Sequence, residues 1–379
     1  VKVLVISQAG MHEYCQAIFR FLRDEVELTV IVPEIFYPHH VGTANALALE
    51  RPRASEGYRL VPVPLKDPHN YTRGFRLFPL LKAIRANAPD VIHVWDEARS
   101  FILMQTLFIQ RLLGLKARLA CYAFENLPFR FKPLFDPLWR FAWRSVDGIT
   151  ASNSEALMNL ESMNLLAPRV SERIFWGTPL EFFVGKERNT AKKAQQLEFP
   201  FLVGGVGGLL PQKGFDTLLD AVALLPPRAH CVLIGSGPME GVLKERASLP
   251  DLAGRVHFMG QVPPEKMVDY MSCFDVLAVP SRTTSTWKEQ FGKVIPEAMA
   301  CNVPVVGSDS GAIPEVIGDA GLIFPEGNVK ALGEQLLKLV EHPEMAQELA
   351  AKGSKRVHDE LSAESFAKKH VKFYRQLLI

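Results

Sequence analysis

A chain of 379 residues with 48% hydrophobic content can bury two large cores, and a net charge of +2 gives it no general attraction to nucleic acid or another polyanion. Its five cysteines (Cys15, Cys121, Cys231, Cys273 and Cys301) are scattered, odd in number and form no Cys-x-x-Cys pair. This argues against a disulfide framework or a zinc site and for a reducing cytosol. The opening residues lack the architecture of a signal peptide, and no run of about 18 uncharged apolar residues marks a membrane-spanning helix.

Residues 1–6 read as a buried strand, 7–14 as a loop, 15–22 as a helix and 26–32 as a second strand. This βαβ opening predicts a doubly wound sheet that binds ligands at the carboxyl ends of its strands. Gly10 and His12 lie in the first loop. Residues 58–63 read as a strand, 73–86 as a helix and 89–96 as a strand in which His93 suits a core position better than a catalytic one. A strand over 118–122 leads to a loop whose polar residues are Glu125 and Asn126. Residues 127–144 mix Phe129, Phe131, Phe135, Trp139, Phe141 and Trp143 with Arg130, Lys132, Arg140 and Arg144. That mixture suits the headgroup boundary of an anionic membrane; packing within its own domain explains it equally well. A strand over 147–151 and a helix over 154–163 follow. The polar, lysine-rich stretch 185–196 reads as an interdomain linker.

A second αβ series opens at residue 199. Its first loop, Gly204-Gly205-Val206-Gly207-Gly208-Leu209-Leu210-Pro211-Gln212-Lys213-Gly214, lets a phosphate approach the backbone, and Lys213 supplies a charge. It is neither a Walker loop nor a dinucleotide fingerprint, because both spacings are absent. The strand 230–234 ends in Gly235-Ser236-Gly237-Pro238, and the strand 255–260 runs into Gln261 and Val262. A strand over 275–279 precedes a polar loop that includes Arg282, and a helix follows over about 291–301, closed by Asn302 and Pro304. Free amides near Phe291 and Gly292 suit a diphosphate. Glu289 stands before this helix, and Glu297 about two turns into it. Carboxylates beside an anion site are expected to grip hydroxyls, and a nucleotide sugar presents hydroxyls on both its ribose and its hexose.

The segment Glu289-Gln290-Phe291-Gly292-Lys293-Val294-Ile295-Pro296-Glu297-Ala298-Met299-Ala300 resembles the donor-site motif of retaining family 4 glycosyltransferases, the group 1 transferases with the GT-B fold. The likeness extends through residues 304–311 and 314–317. It covers the second half of the chain specifically and the first half loosely. The resemblance implies two Rossmann-like doubly wound α/β domains facing across a cleft. These are an acceptor-side domain of residues 1–185, joined by a C-terminal helix over 363–379, and a nucleotide-sugar domain of residues 197–362.

The implied reaction is retaining transfer of a hexosyl group from a UDP- or GDP-linked sugar to a lipid-linked, glycan or small-molecule acceptor of the cell envelope. The implied place is the cytoplasm or the inner face of its membrane. Glu289 would take the sugar hydroxyls and Glu297 the ribose. Lys213, Gly207, Gly208, Gly235, Gly237, Gln290, Phe291, Gly292, Lys293, Gln261 and Val262 would line the donor site, with Gly10 from the first loop. Glu125 is the candidate where relatives hold a His. Gly208 stands where relatives hold an Arg, so Lys293 in first place, or Arg282 or Lys288 of the preceding loop, is expected to supply the missing cation. No metal or other cofactor is expected. A sugar-nucleotide epimerase of the same fold, or a binding protein that has lost catalysis, are the alternatives.

Overall fold

The computed structural model describes residues 1–11, 13–37, 57–96, 100–131, 133–166 and 170–379; His12 and Lys132 lie outside them. The chain divides into two compact units, Val1–Pro179 with Ala363–Ile379, and Leu180–Ser362.

The first unit is built on seven parallel strands: β1 (Lys2–Ile6), β2 (Glu27–Pro33), β3 (Arg59–Val63), β4 (Val91–Trp95), β5 (Arg118–Ala123), β6 (Gly148–Ala151) and β7 (Val170–Arg173). Their spatial order is β3-β2-β1-β4-β5-β6-β7. The central strands are continuous apolar runs, so helices must cover both sheet faces; Val3 to Ile6 are accordingly buried throughout. Residues 101–112, unassigned from sequence, form the helix Phe101–Leu112, whose start is capped by Ser100 Oγ accepting from Ile102 N at 3.2 Å. The expected helix over 73–86 begins later, at Leu77, after a short 3-10 turn at Tyr71–Arg73.

The last helix, Ala363–Leu377, packs on the first unit against the helix Glu13–Arg23. Gly148 lies under it, and a side chain there would press into Phe373 and Leu377. His370 from this helix and His93 from β4 are both fully buried and meet at Thr150, whose hydroxyl lies 3.4 and 3.3 Å from their Nε2 atoms. Nδ1 of His93 is 2.9 Å from the Tyr374 hydroxyl, and Nδ1 of His370 is 3.0 Å from the Phe366 carbonyl oxygen. Trp95, Tyr122 and Phe366 wall the pair. His93 is therefore a core histidine with hydrogen-bond partners.

The second unit has six parallel strands: β8 (Phe201–Val206), β9 (Ala229–Ile234), β10 (Val256–Gly260), β11 (Val276–Val279), β12 (Val305–Ser308) and β13 (Gly321–Phe324). Their order is β10-β9-β8-β11-β12-β13. Residues 185–196 are not a free linker. They contain the helix Arg188–Ala194, capped by Glu187 accepting from Asn189 N and Thr190 N at 2.9 and 2.7 Å. Polarity misled here because Lys192 is buried, with its ammonium 2.6 Å from Asp275 and 2.9 Å from the Phe199 carbonyl oxygen. A charged residue enters a core when it is paired in this way.

The histidine pair predicts acid lability of the first unit. Burial lowers the pKa of His93 well below its ordinary 6.5 and that of His370 to about 3. Below pH 6.5 the unfolded chain therefore binds protons that the folded chain refuses. Stability is complete above pH 6.5 and is lost as pH falls below it. For His370 the loss is about 1.4 kcal/mol per pH unit toward its folded pKa of about 3, and His93 adds to the loss in the same direction. Four of the five tryptophans (Trp95, Trp139, Trp143 and Trp176) lie in this unit. Urea unfolding followed by their fluorescence should show a midpoint that falls between pH 7 and pH 5. His370→Phe should show a shallower fall, and equal pH slopes would contradict the assignment.

Candidate active site of the second unit

Strand order locates the site. Successive strands β8, β9 and β10 run outward one way, whereas β11, β12 and β13 run the other way from β8. The loops that leave β8 and β11 therefore diverge above the sheet, and a crevice opens at the carboxyl ends between them. The β8 loop carries Gly207, Gly208 and Lys213, and the β11 loop carries Ser281, Arg282, Trp287 and Glu289.

The two loops are sewn together at their bases. Gly214 has a φ of 68°, in the left-handed region, and a side chain there would collide with the Pro280 carbonyl. Arg282 N donates to Gln212 O at 2.8 Å. Arg282 Nη2 donates to Pro211 O at 2.8 Å and to both carboxylate oxygens of Asp216 at 2.8 and 3.1 Å. Arg282, expected to face an anion, thus braces the Lys213 turn from behind.

Above this base Lys213 Nζ meets Glu289 Oε2 at 2.7 Å. The same oxygen accepts from Ser281 Oγ at 3.1 Å, and Ser281 O in turn accepts from Ser308 Oγ at 2.6 Å. The Glu289 carbonyl accepts from Ala312 N at 2.9 Å. Glu289 is buried, with 10% of its side chain exposed, against 26% for Lys213. The ammonium also lies 4.7 Å from the centre of the Trp287 ring. Two residues 76 apart in sequence, singled out for opposite roles, are in direct contact.

The neighbouring loops complete the rim. Gly207 has a φ of 145°, and its N–H donates to Ile234 O at 2.9 Å. A side chain on Gly235 would strike the Gly207 carbonyl, and one on Gly237 would strike Leu209 O. These glycines let the β8 and β9 loops close on each other. Gly208 differs: a Cβ there meets nothing nearer than Leu210 at 3.5 Å. Gln261, after β10, donates to Ser236 Oγ at 2.9 Å, and Val262 follows, half-buried.

The helix after Glu289 begins at Val294, three residues later than the sequence pattern suggests. Gly292 takes a φ of 74°, which no right-handed helix contains. Glu297 accordingly lies in the first turn and not the second. Pro296 falls in that turn too, where a missing N–H costs nothing. Phe291 is buried, Gln290 half-buried and Lys293 exposed.

The two first-unit candidates stand apart from this constellation in the chain. Gly10 is buried in the 3-10 turn Gln8–Met11, and a side chain there would press on Val32 and Phe19. Packing is sufficient reason for it. Glu125 follows β5, with Oε1 accepting from Leu127 N at 3.4 Å. Sequence reasoning passed over Asp96, which is buried at the end of β4. Its charge joins desolvation in raising the pKa of the buried Tyr71 phenol. The available signal was its position at the carboxyl end of a central strand.

Residues 187–356 match the sequence family described as glycosyl transferases group 1. The second unit is a group 1 glycosyl transferase domain. The chain is 34% identical over 162 residues to a GDP-mannose-dependent monoacylated alpha-(1-6)-phosphatidylinositol monomannoside mannosyltransferase of Corynebacterium glutamicum. That alignment covers 41% of this chain and 42% of the relative, so the chain spans about two fifths of that relative's length. A lipopolysaccharide core biosynthesis mannosyltransferase, LpsB of Rhizobium meliloti, is 26% identical over 298 residues, covering 75% of this chain and 80% of LpsB. Among solved structures, Anabaena HepE in complex with UDP superposes with a TM-score of 0.77 at 18% identity, covering 99% of this chain and all of that one. Sucrose-phosphate synthase of Thermosynechococcus elongatus superposes with a TM-score of 0.72 at 20% identity, covering 99% and 98%. These likenesses show the fold, two parallel α/β sheets of the GT-B type.

The sealed base of this transferase domain can be tested directly. Gly214→Ala places a Cβ in left-handed backbone and against the Pro280 carbonyl, which should cost about 1–3 kcal/mol from strain alone. The thermal midpoint should drop, whereas Gly208→Ala, with room for its Cβ, should leave it unchanged. Equal midpoints for the two variants would contradict the close approach.

Proposed function

We propose that the protein transfers a hexosyl group, with retention, from a UDP- or GDP-linked sugar to a lipid-linked or glycan acceptor. The observation that carries this reading is the Lys213–Glu289–Ser281 constellation across the strand-order switch of a group 1 glycosyl transferase domain. A buried carboxylate held by a hydroxyl and an ammonium is preorganised to accept sugar hydroxyls. The ammonium is mobile enough to meet a diphosphate. Charge on the departing nucleoside diphosphate is then offset by Lys213 and by the amides around Gly292, which is stabilisation of a leaving group. Glu297, one turn into the next helix, takes the ribose hydroxyls. Glu125 lies on the acceptor side. The mannosyltransferase from Corynebacterium, named for its GDP-mannose dependence, and HepE, solved with UDP, support a choice between GDP and UDP.

Lys213→Ala should slow turnover of GDP-mannose or UDP-glucose about a hundredfold, equivalent to about 2.7 kcal/mol of barrier. Glu297→Ala should instead weaken binding of free GDP or UDP, measured by calorimetry. Wild-type turnover by Lys213→Ala would remove the phosphate assignment. A second reading, nucleotide-sugar binding without transfer, is motivated by Gly208 standing in the place of an arginine. The space around its Cβ leaves room for a side chain to begin there, so Gly208→Arg is the variant to make. Donor binding by the wild type without turnover, with turnover appearing in Gly208→Arg, would favour that second reading.

We further propose that the first unit rests on anionic membrane, through only part of the aromatic-basic stretch together with the helix Phe101–Leu112. Phe129, Phe131, Trp139 and Trp143 are buried in the unit's own core, and Arg140 is engaged by Asp136 at 2.8 Å and by Met163 O at 2.7 Å. The helix itself covers only Asp136–Arg144. What remains outside is Leu134 at 83% exposure, Phe135, Leu138 and Phe141. Phe101, Phe108 and Leu112 of the adjoining helix extend this surface, and exposed Arg111 lies over the Phe141 ring at 4.5 Å. Apolar residues with an exposed arginine beside them suit an anionic bilayer surface. Liposomes containing phosphatidylglycerol should carry the wild type in flotation, less so in high salt. The Leu134→Asp, Leu138→Asp variant should stay behind, and equal flotation would refute the surface.

A further inference from the structure

Trp287 belongs to none of the roles assigned so far. It lies two residues before Glu289, half-buried, in a loop that could have been filled by any polar residue. Its backbone is held firmly. Trp287 N donates to Thr284 Oγ1 at 2.9 Å, and Thr284 N donates to Trp287 O at 2.8 Å. The loop is pinned below by Thr283, whose N–H donates to Glu326 at 2.7 Å and whose hydroxyl lies 3.0 Å from Ser310 Oγ. Backbone bonds of this kind set the direction in which the Trp287 Cα–Cβ bond leaves the loop.

What the indole faces is the Lys213 ammonium, 4.7 Å from the ring centre, which at the same time pairs with Glu289 at 2.7 Å. One movable cation therefore covers both a buried carboxylate oxygen and the aromatic face beside it. A cation over an indole is held by the ring's quadrupole, and the hold is modest. A lysine stem is flexible and its charge is a point charge, so a nearby diphosphate competes strongly for it. When the ammonium moves to phosphate, a carboxylate edge and an apolar face are left side by side. A pyranose has the matching pair of features: hydroxyls at its rim and a face of C–H bonds.

We infer that Trp287 is a positioning and specificity residue of the donor site: its indole packs on the C–H face of the transferred pyranose while Glu289 takes its hydroxyls, and Lys213 occupies both places until a diphosphate draws it away. This rests on the nucleotide-sugar reading proposed above. The consequence is a divided effect. Loss of the indole should be felt by the sugar and not by the nucleotide.

The test is calorimetric titration of the full chain with UDP-glucose, GDP-mannose, UDP and GDP, for wild type, Trp287→Leu and Trp287→Phe. For the nucleotide that the wild type prefers, Trp287→Leu should bind the nucleotide sugar about tenfold more weakly and the free diphosphate with unchanged affinity. Trp287→Phe, which keeps an aromatic face, should lie between, and carries the test if the Leu variant melts early. Trp287 is also the one tryptophan of the second unit, so the wild-type emission minus that of Trp287→Phe isolates it. That signal should change on adding the free diphosphate, as Lys213 leaves the ring. Unchanged sugar-nucleotide affinity in Trp287→Leu, or equal losses for sugar nucleotide and free diphosphate, overturns this inference alone. Wild-type binding of none of the four ligands overturns the nucleotide-sugar reading and this inference with it.

Discussion

Two loops of the second unit approach so closely that only a glycine fits between them. Gly214 abuts the Pro280 carbonyl in left-handed backbone, and the rest of the site follows from that contact. It brings the end of the β8 loop beneath the start of the β11 loop, lets Arg282 N reach Gln212 O, and delivers Lys213 to Glu289. Surface ion pairs such as Lys2–Glu27, at 3.9 Å with both side chains mostly exposed, contribute little. The Lys213–Glu289 pair is shorter and mostly withdrawn from water. It is also built to be broken, because the flexible partner is the more exposed one.

Both units use the same architectural device. Each sheet reverses its strand order once, between β1 and β4 in the first and between β8 and β11 in the second. Each reversal carries an ionisable group at the strand ends. In the second unit it is the Lys213–Glu289 pair. In the first it is Asp96, buried after β4 and close enough to Tyr71 to raise that phenol's pKa. Twisted parallel sheets leave room for polar groups there because neighbouring loops turn to opposite faces.

The aromatic-basic stretch after β5 shows how composition misplaces a surface. Its residue types suit a membrane boundary, yet four of its six aromatics complete the first unit's core. Phe131 stacks on Trp139 with ring centres 5.4 Å apart and planes 7° from parallel, and Phe101 leans on the same indole at 5.3 Å. The apolar surface that remains combines Phe135, Phe141 and two leucines of the stretch with Phe101, Phe108 and Leu112 of the preceding helix. A tally of aromatics in one window cannot find it.

What the sequence determined by itself was whatever one local segment encodes. Continuous apolar runs marked most of the central strands, since parallel strands are covered on both faces. The 289–300 segment identified the transferase domain, and the helix expected over 154–163 is present as Ser154–Ser162. Tertiary structure decided what depends on distant partners. Lys192 reads as linker until Asp275 is beside it, and Arg282 reads as an anion ligand until Asp216 takes its guanidinium. Glu297 moved to the first helical turn because Gly292 is left-handed, a property of the backbone that the letter G permits without requiring. The contacts of Lys213 with Glu289 and with Trp287 exist only because strand order places β8 next to β11. Sequence spacing carries no information about that neighbourhood, because the free energy that creates it comes from burying both sheet faces at once.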